Sequence, residues 1–522
     1  MATTRPDGRR AGRRARAGAS GLALLSVAAA SIAATSPPLQ PTLAVSAVAT
    51  DNSGLTTDAL RRSDLIGDVN AGVIVRSRGA RLTITGDAGL EFIGYARHTE
   101  PDRVLPRGRL DLDAILVERA LFFDGELSAV RTRADPLAAQ SDAGSTANTV
   151  STVSLRASPY FAHEFSPTLS ASARSDTTLT RNKSDDSSGV AAPNGSTYQH
   201  DVVHVERKPA PFGLTVDASH ENTTYQDSSA SVLRADSLQA ALTAALANDI
   251  VLGVVGGHEH AVYSATTRND NLYGALLQWH PSRRTALDID AEHHYFGTGW
   301  NVRLRDRLPH STIEASLTRS ASANAASLGL NGPDNDPTAL LGALLSSRAP
   351  DAGAGSDQSV DELVQSRNLP GSFSQPLQIT SESAQLATRA TLNLIFNGVR
   401  DTIFASAWYQ KAEALPGAPA AALATTFDSR QWGGSLGLYH RLMPTMSAAA
   451  ELEWTTIEAL GARTGDSSRQ AAATLSVTQR LGPRTTLSCG VRHFAAHLVL
   501  NSTSTTTQVR ENQAFAGLRV QY

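Results

Sequence analysis

The sequence predicts an all-β fold: a transmembrane antiparallel up-and-down β-barrel of about 22 strands (20–24). Three observations predict it. Apolar and polar residues alternate with a period of two along most of the chain. Many of these runs last about ten residues or more, whereas strands of globular proteins average about five or six. Short turns also alternate with long polar loops, the pattern of a barrel with short periplasmic turns and long outer loops.

Composition sets the outer limits. The chain has 522 residues, 41% hydrophobic and 18% charged, with a single Cys. Mean hydropathy is −0.19, and the body of the chain holds no apolar run of about 20 residues, so a helical membrane protein is excluded. One Cys excludes a disulfide scaffold and any Cys-based zinc or iron–sulfur site. The chain is too apolar, and its net charge too low, for a disordered protein.

The N-terminus reads as a signal peptide, residues 1–34. Arg9, Arg10, Arg13, Arg14 and Arg16 form a basic region, and an apolar stretch from Gly21 to Ala34 follows. Small residues at Ala28, Ala30, Ser31 and Ala33 suit cleavage near Ala33 or Ala34. Residues 1–34 hold six Arg and one Asp, which leaves 40 of 46 basic and 48 of 49 acidic residues, a formal charge of −8. That balance argues against nucleic acid as a partner. Residues 35–522 form one barrel domain in this reading.

The strands follow in order. Val69, Ala71, Val73 and Val75 alternate with Asp68, Asn70 and Arg76. Leu82, Ile84, Ala88, Leu90 and Phe92 alternate with Thr83, Thr85, Asp87 and Glu91. Near the other end, Trp432, Gly434, Leu436 and Leu438 share a face, and so do Met446, Ala448, Ala450, Leu452 and Trp454. The short turns include Phe165-Ser166-Pro167-Thr168, Asn397-Gly398-Val399-Arg400 and Leu481-Gly482-Pro483-Arg484. In several of them Pro presets φ and a hydroxyl or Gly completes the corner. The long loops, 132–148 and 181–197, are rich in Ser, Asp, Asn and Gly. Ala514, Ala516, Leu518, Val520 and Tyr522 share the last face, and Leu518, Val520 and Tyr522 read as a barrel-assembly signal.

One hairpin can be placed in register. With Gly297 and Thr298 at the loop centre, Asp288 faces Arg307, Asp290 faces Arg305 and Glu292 faces Arg303. That arrangement predicts a lumenal ladder of ion pairs, with Tyr295 opposite Trp300 on the outward face. Tyr273, Trp279, Tyr295, Trp300, Trp432 and Trp454 are the expected aromatic interface. Asp306 falls on the nominal lipid face, so that strand is imperfect or ends there.

Catalytic signals are sparse. His258-Glu259-His260 puts two imidazoles on one strand face, a metal-compatible spacing, but no third ligand accompanies them and a solvated strand end is the simpler reading. No G-x-S-x-G segment occurs. Cys489 reads as a small packed residue. The expectation is no cofactor, no metal and no catalytic residue. The segment 324–378 breaks the hairpin rule: it is long, lies on the outer side by strand parity, and carries two short helical patterns at 337–348 and 359–367. It is placed to cap the pore or to fold into it. No separate plug precedes the first strand, so TonB-dependent receptors resemble this chain in strand number only.

Several segments resemble the outer-membrane β-barrel family associated with the PEP-CTERM/exosortase system, found near exopolysaccharide genes. They are Leu43-Ala44-Val45-Ser46-Ala47-Val48-Ala49-Thr50-Asp51-Asn52, then Ser63-Asp64-Leu65-Ile66 and Arg78-Gly79-Ala80-Arg81-Leu82. Leu121-Phe122-Phe123 with Ser158-Pro159-Tyr160-Phe161 follows, then Asn368-Leu369-Pro370 and Asn397-Gly398-Val399-Arg400-Asp401-Thr402. The Pro-Glu-Pro sorting tail itself is missing, which makes the chain a companion of that system and not a cargo. The resemblance implies a Gram-negative outer membrane and a role in exopolysaccharide secretion or surface organisation. The partners it implies are outer-membrane lipid, the barrel-assembly machinery, exopolysaccharide and periplasmic export proteins. A diffusion porin and an enzyme barrel acting on lipid or polysaccharide are the alternatives.

Overall fold

The computed structural model describes residues 39–522 except 134, 140–147, 185–194, 227–230, 264–265, 418–427, 502–503 and 324–383, where only 341 and 376 are described. The insertion 324–378, with its two helical patterns, therefore lies outside the described residues. The first half of the barrel holds β1 (Leu39–Thr50), β2 (Asp64–Arg78), β3 (Leu82–Tyr95), β4 (Arg103–Val117), β5 (Leu121–Arg133), β6 (Thr149–Ser166), β7 (Leu169–Ser184), β8 (Gly195–Arg207), β9 (Phe212–Tyr225), β10 (Ser231–Ala247) and β11 (Ile250–Tyr263). The second half holds β12 (Thr266–Trp279), β13 (Thr285–His294), β14 (Gly297–Arg307), β15 (Ser311–Ala323), β16 (Ala384–Asn397), β17 (Asp401–Ala414), β18 (Ser429–Met443), β19 (Met446–Ala459), β20 (Ser467–Gly482), β21 (Thr485–Leu500) and β22 (Thr505–Gln521).

Each strand pairs antiparallel with the next, and β22 closes on β1 with Thr42 opposite Gln521 and Thr50 opposite Gln513. Closure satisfies the strand-edge hydrogen bonds that lipid could not. The connections after even-numbered strands are all short, the longest being residues 280–284. Those after odd-numbered strands include 51–63, 134–148, 324–383 and 415–428. The long-loop end is the outer end and the short-turn end is periplasmic. The two residues at 295–296 are an exception, a tight turn on the outer side.

The outward face shows why this sheet needs a membrane. Leu238, Leu242 and Leu246 of β10 are 59%, 61% and 65% exposed, which for a soluble protein would leave a continuous apolar wall in water. They span about 27 Å along the strand at ~3.4 Å per residue, roughly the height of an outer-membrane apolar band once strand tilt is allowed for. Leu214, Val203, Val205, Leu252 and Val254 continue the band on neighbouring strands.

Above it the same face turns polar. Ser175, Asp201, His220, Asp236, His260 and Asn269 are successive cross-strand partners from β7 to β12. They bond two by two: the Ser175 hydroxyl donates to Asp201 (2.5 Å), His220 meets Asp236 (2.5 Å), and His260 meets Asn269 (2.6 Å). Strands of 14 to 18 residues therefore cross the lipid and continue beyond it as a water-facing collar.

Candidate functional site

The lumen is the site, and its character follows from strand parity. Residues that alternate with the apolar band point inward, and most are polar. On β13, Leu287 and Ile289 face out while Asp288, Asp290 and Glu292 face in. Asp217, Ser219 and Glu221 of β9 and Glu259 of β11 share that inner wall. Glu221, Glu259, Asp290, Glu292, His294 and Arg303 line a cavity of about 370 Å³.

The hairpin register differs from the one the sequence suggested. Asp288 lies opposite Arg303, Asp290 opposite Asn301, and Glu292 opposite Gly299. The turn is centred on Tyr295 and Phe296, with Gly297 at φ +99° closing it. The slip is four residues, an even number, so Asp288, Asp290, Glu292, Arg303, Arg305 and Arg307 keep a common inward face while their pairing changes. Among the described residues no ion pair joins the three acids to the three arginines. Instead Arg305 pairs with Glu314 of β15, His280 meets Asp288 (3.0 Å), and the Asn301 amide donates to Asp290 (3.3 Å).

Glu259 explains where the turn sits. Its carboxylate lies 2.7 Å from His294 Nδ1 and accepts the Tyr295 backbone N–H at 3.1 Å. His294 Nε2 is 3.4 Å from Glu292. Two carboxylates thus hold the hairpin tip inward, and Tyr295 packs into an apolar cluster rather than against lipid. Tyr295 is accordingly not part of the outward aromatic set. Tyr273, Trp279, Trp300, Trp432 and Trp454 do have outward parity: Trp300 lies opposite Ala291 with Arg319 over its ring at 5.2 Å, and Trp454 lies over Gly434, where a Cβ would meet the indole at 2.8 Å. Asp306 accepts from the Thr285 hydroxyl (2.8 Å) at the periplasmic end of its strand.

The apolar cluster narrows the outer mouth. It joins Leu233, Ala261 and Tyr263, inward residues of β10 and β11, to Ala323, Ala384 and Leu386 of β15 and β16. By parity those last three lie on the same face as Leu317 and Leu392, which point to lipid lower down. The outer ends of β15 and β16 have therefore turned into the mouth, so that their lipid-side face rests on the inner wall of β10 and β11. Leu386 is 3% exposed and its neighbour on the opposite face, Gln385, 9%. Beyond β17, residues Leu415, Pro416 and Gly417 complete the contact: Leu415 joins the cluster, the Tyr263 hydroxyl donates to the Pro416 carbonyl (2.7 Å), and the Thr266 hydroxyl donates to the Gly417 carbonyl (3.0 Å).

A second inward fold faces it from the other side. Leu55, in the β1–β2 connection, and Ala139, in the β5–β6 connection, pack on Phe494, Ala496 and Val509 at the inner face of β21 and β22. The Gln470 amide of β20 donates to the Ala138 carbonyl (3.2 Å).

The remaining sequence candidates are placed as follows. His258 and His260 face outward and meet Asn271 and Asn269, while Glu259 between them faces in. No group of three metal-compatible ligands occurs among the described residues. Ala514, Ala516, Leu518, Val520 and Tyr522 share the outward face of β22, next to β1. Cys489 is exposed on its strand and not packed. Sequence reasoning missed Glu259 as a clamp, and the inward tip of β15–β16 altogether. Leu386 reads as an ordinary lipid-facing leucine, and nothing local signals that its strand has turned inward.

No family profile matches the chain, and no curated protein is significantly similar to it. Solved structures that it resembles include the ferric citrate transporter FecA in its unliganded form, at 11% identity and a TM-score of 0.43, covering 93% of this chain and 79% of that one. The ferric-catecholate import receptor Fiu of E. coli K12 follows at 8% identity and 0.45, covering 92% and 81%. OccK1 of Pseudomonas aeruginosa gives 9% identity and 0.35, covering 93% and 99%.

Proposed function

We propose that this protein is an outer-membrane conduit with a narrowed outer mouth, serving exopolysaccharide secretion or cell-surface organisation in a Gram-negative cell. The observation that carries the reading is the inward turn of β15 and β16 onto Leu233 and Tyr263. Two opposed inward folds narrow the mouth, an arrangement that suits a conduit for one long polar substrate. The polar inner wall suits a hydroxylated polymer, and the family resemblance of the sequence points to the same setting. Its partners would be outer-membrane lipid, the barrel-assembly machinery, the polymer and periplasmic export proteins.

The conduit itself needs no chemistry, cofactor or metal. A carboxylate wall of Asp217, Glu221, Glu259, Asp290 and Glu292 disfavours anions and admits neutral or cationic substrates. The second reading is a selective porin, favoured by the charged lining of the lumen, where Arg303 lies opposite Asp288 and shares a cavity with Glu221, Glu259, Asp290 and Glu292. Planar-bilayer recording on the folded protein separates the two. The conduit predicts a small, intermittent conductance that neutral polysaccharide fragments block more strongly as they lengthen. A large steady conductance indifferent to polysaccharide would establish the porin instead.

A further inference from the structure

Three neighbouring strands bring together a serine, a histidine and an aspartate that no sequence motif connects. Ser172 of β7 lies opposite His204 of β8, and His204 lies opposite Asp217 of β9. All three have inward parity, since Leu179, Val203, Val205 and Leu214 on the same strands face lipid. His204 Nδ1 is 2.6 Å from Asp217 Oδ1. In a neutral imidazole that contact places the proton on Nδ1 and leaves Nε2 as the base.

Asp217 approaches from one side of His204 and Ser172 stands on the other, the order a nucleophilic triad requires. Among the described residues no hydrogen bond engages the Ser172 hydroxyl. Directly opposed side chains have Cβ atoms ~4.5–5.5 Å apart, a gap that side-chain rotation closes, and such contacts are commonly loose without substrate. The row lies inside the lumen near its periplasmic rim, with the His204 and Asp217 side chains 38% and 26% exposed. Two other cross-strand histidine–aspartate pairs lack the hydroxyl: His220 has Asp201 on its open side, and His440 has Ala448.

We propose that Ser172, His204 and Asp217 form a catalytic triad that hydrolyses short acyl esters entering the lumen. Ser172 Oγ bonds to the ester carbonyl carbon as its proton passes to His204 Nε2. The C–O bond to the alcohol then breaks, and the leaving oxygen takes that proton. Water, deprotonated by His204, attacks the acyl-serine and releases the carboxylic acid, so ester and water become acid and alcohol. Asp217 holds the imidazole and balances its transient charge. Ala162, opposite Ser172 on β6, leaves room for a small acyl group. That the alcohol belongs to an acylated polymer rests on the conduit reading; the ester chemistry does not.

The test uses the full-length protein folded in detergent, with p-nitrophenyl acetate as substrate and a fluorescent fluorophosphonate as probe. The expected result is one labelled peptide containing Ser172. Ser172→Ala should abolish labelling and reduce hydrolysis to the detergent background. His204→Asn and Asp217→Asn should each lower hydrolysis by about 10²–10⁴-fold, with heat-modifiable mobility confirming that every variant is folded. Equal labelling of wild type and Ser172→Ala overturns the proposal, and so does a folded wild type that neither labels nor hydrolyses. Hydrolysis by a barrel whose conductance ignores polysaccharide would remove the conduit reading alone.

Discussion

If the outer ends of β15 and β16 are held in the mouth by Leu386, shortening that side chain should release them. Leu386 is 3% exposed among Leu233, Tyr263 and Leu415, and the Tyr263–Pro416 hydrogen bond lies alongside. Leu→Ala at buried sites costs about 2–5 kcal/mol. At ~1.4 kcal/mol per tenfold, a loss of ~3 kcal/mol shifts the ratio of docked to released tip by about 150-fold. Single-channel recording reads that shift as time spent at a higher conductance level. A second readout is the rate at which a water-soluble maleimide modifies Ala323→Cys in a Cys489→Ser background. Leu392→Ala is the control: it lies on the same strand and the same face, but is 48% exposed to lipid. It should leave both readouts unchanged. If Leu386→Ala behaves like Leu392→Ala in both, the inward tip does not restrict the mouth.

Other consequences can be checked directly. Val254→Arg places a charge in the apolar band and should destabilise the folded barrel by ~2–4 kcal/mol in urea titrations with lipid vesicles, whereas Ser219→Arg, facing the lumen, should cost far less. Glu259→Gln combined with Glu292→Gln removes two carboxylates from the inner wall and should lower the cation-to-anion permeability ratio, measured as reversal potential in a salt gradient. Glu259→Ala also removes the clamp on His294 and Tyr295, so amide exchange at residues 294–297 should accelerate by tenfold or more, given ~1.5–3 kcal/mol for a charged hydrogen bond. Deleting residues 518–522 removes four of the β1–β22 pairings and should leave barrels that fail the heat-modifiability test.

Period-two alternation made the face of almost every strand legible, because one-residue slips would turn an entire apolar set into the lumen. It left even slips unmarked. Gly297 looked like the centre of the hairpin because glycine favours tight turns, yet Tyr295 and Phe296 occupy it, held by the Glu259 carboxylate from two strands away and by packing on Tyr263. Tertiary contacts chose the turn, and the sequence of the hairpin does not contain them. The same limit hid the row of Ser172, His204 and Asp217, which appears only when two registers are known together. Outward aromatics were easier, because Tyr273 and Trp279 on one strand face already mark out a membrane height. For Leu386 the sequence offers parity alone, and parity says nothing about a strand end that bends across the mouth.

The seam between β1 and β22 has a consequence of its own. The Tyr522 amide donates to the Pro41 carbonyl (2.9 Å), so the start of the first strand and the end of the last lie side by side on one rim. Geometrically the ring has no first strand; it acquires one only from the order of synthesis. A circularly permuted gene, joined at this seam and cut within residues 51–63, should encode the same ring in the same membrane. It would no longer finish on the outward row of Leu518, Val520 and Tyr522. Such a protein would separate what the finished barrel needs to be stable from what a cell needs in order to install it.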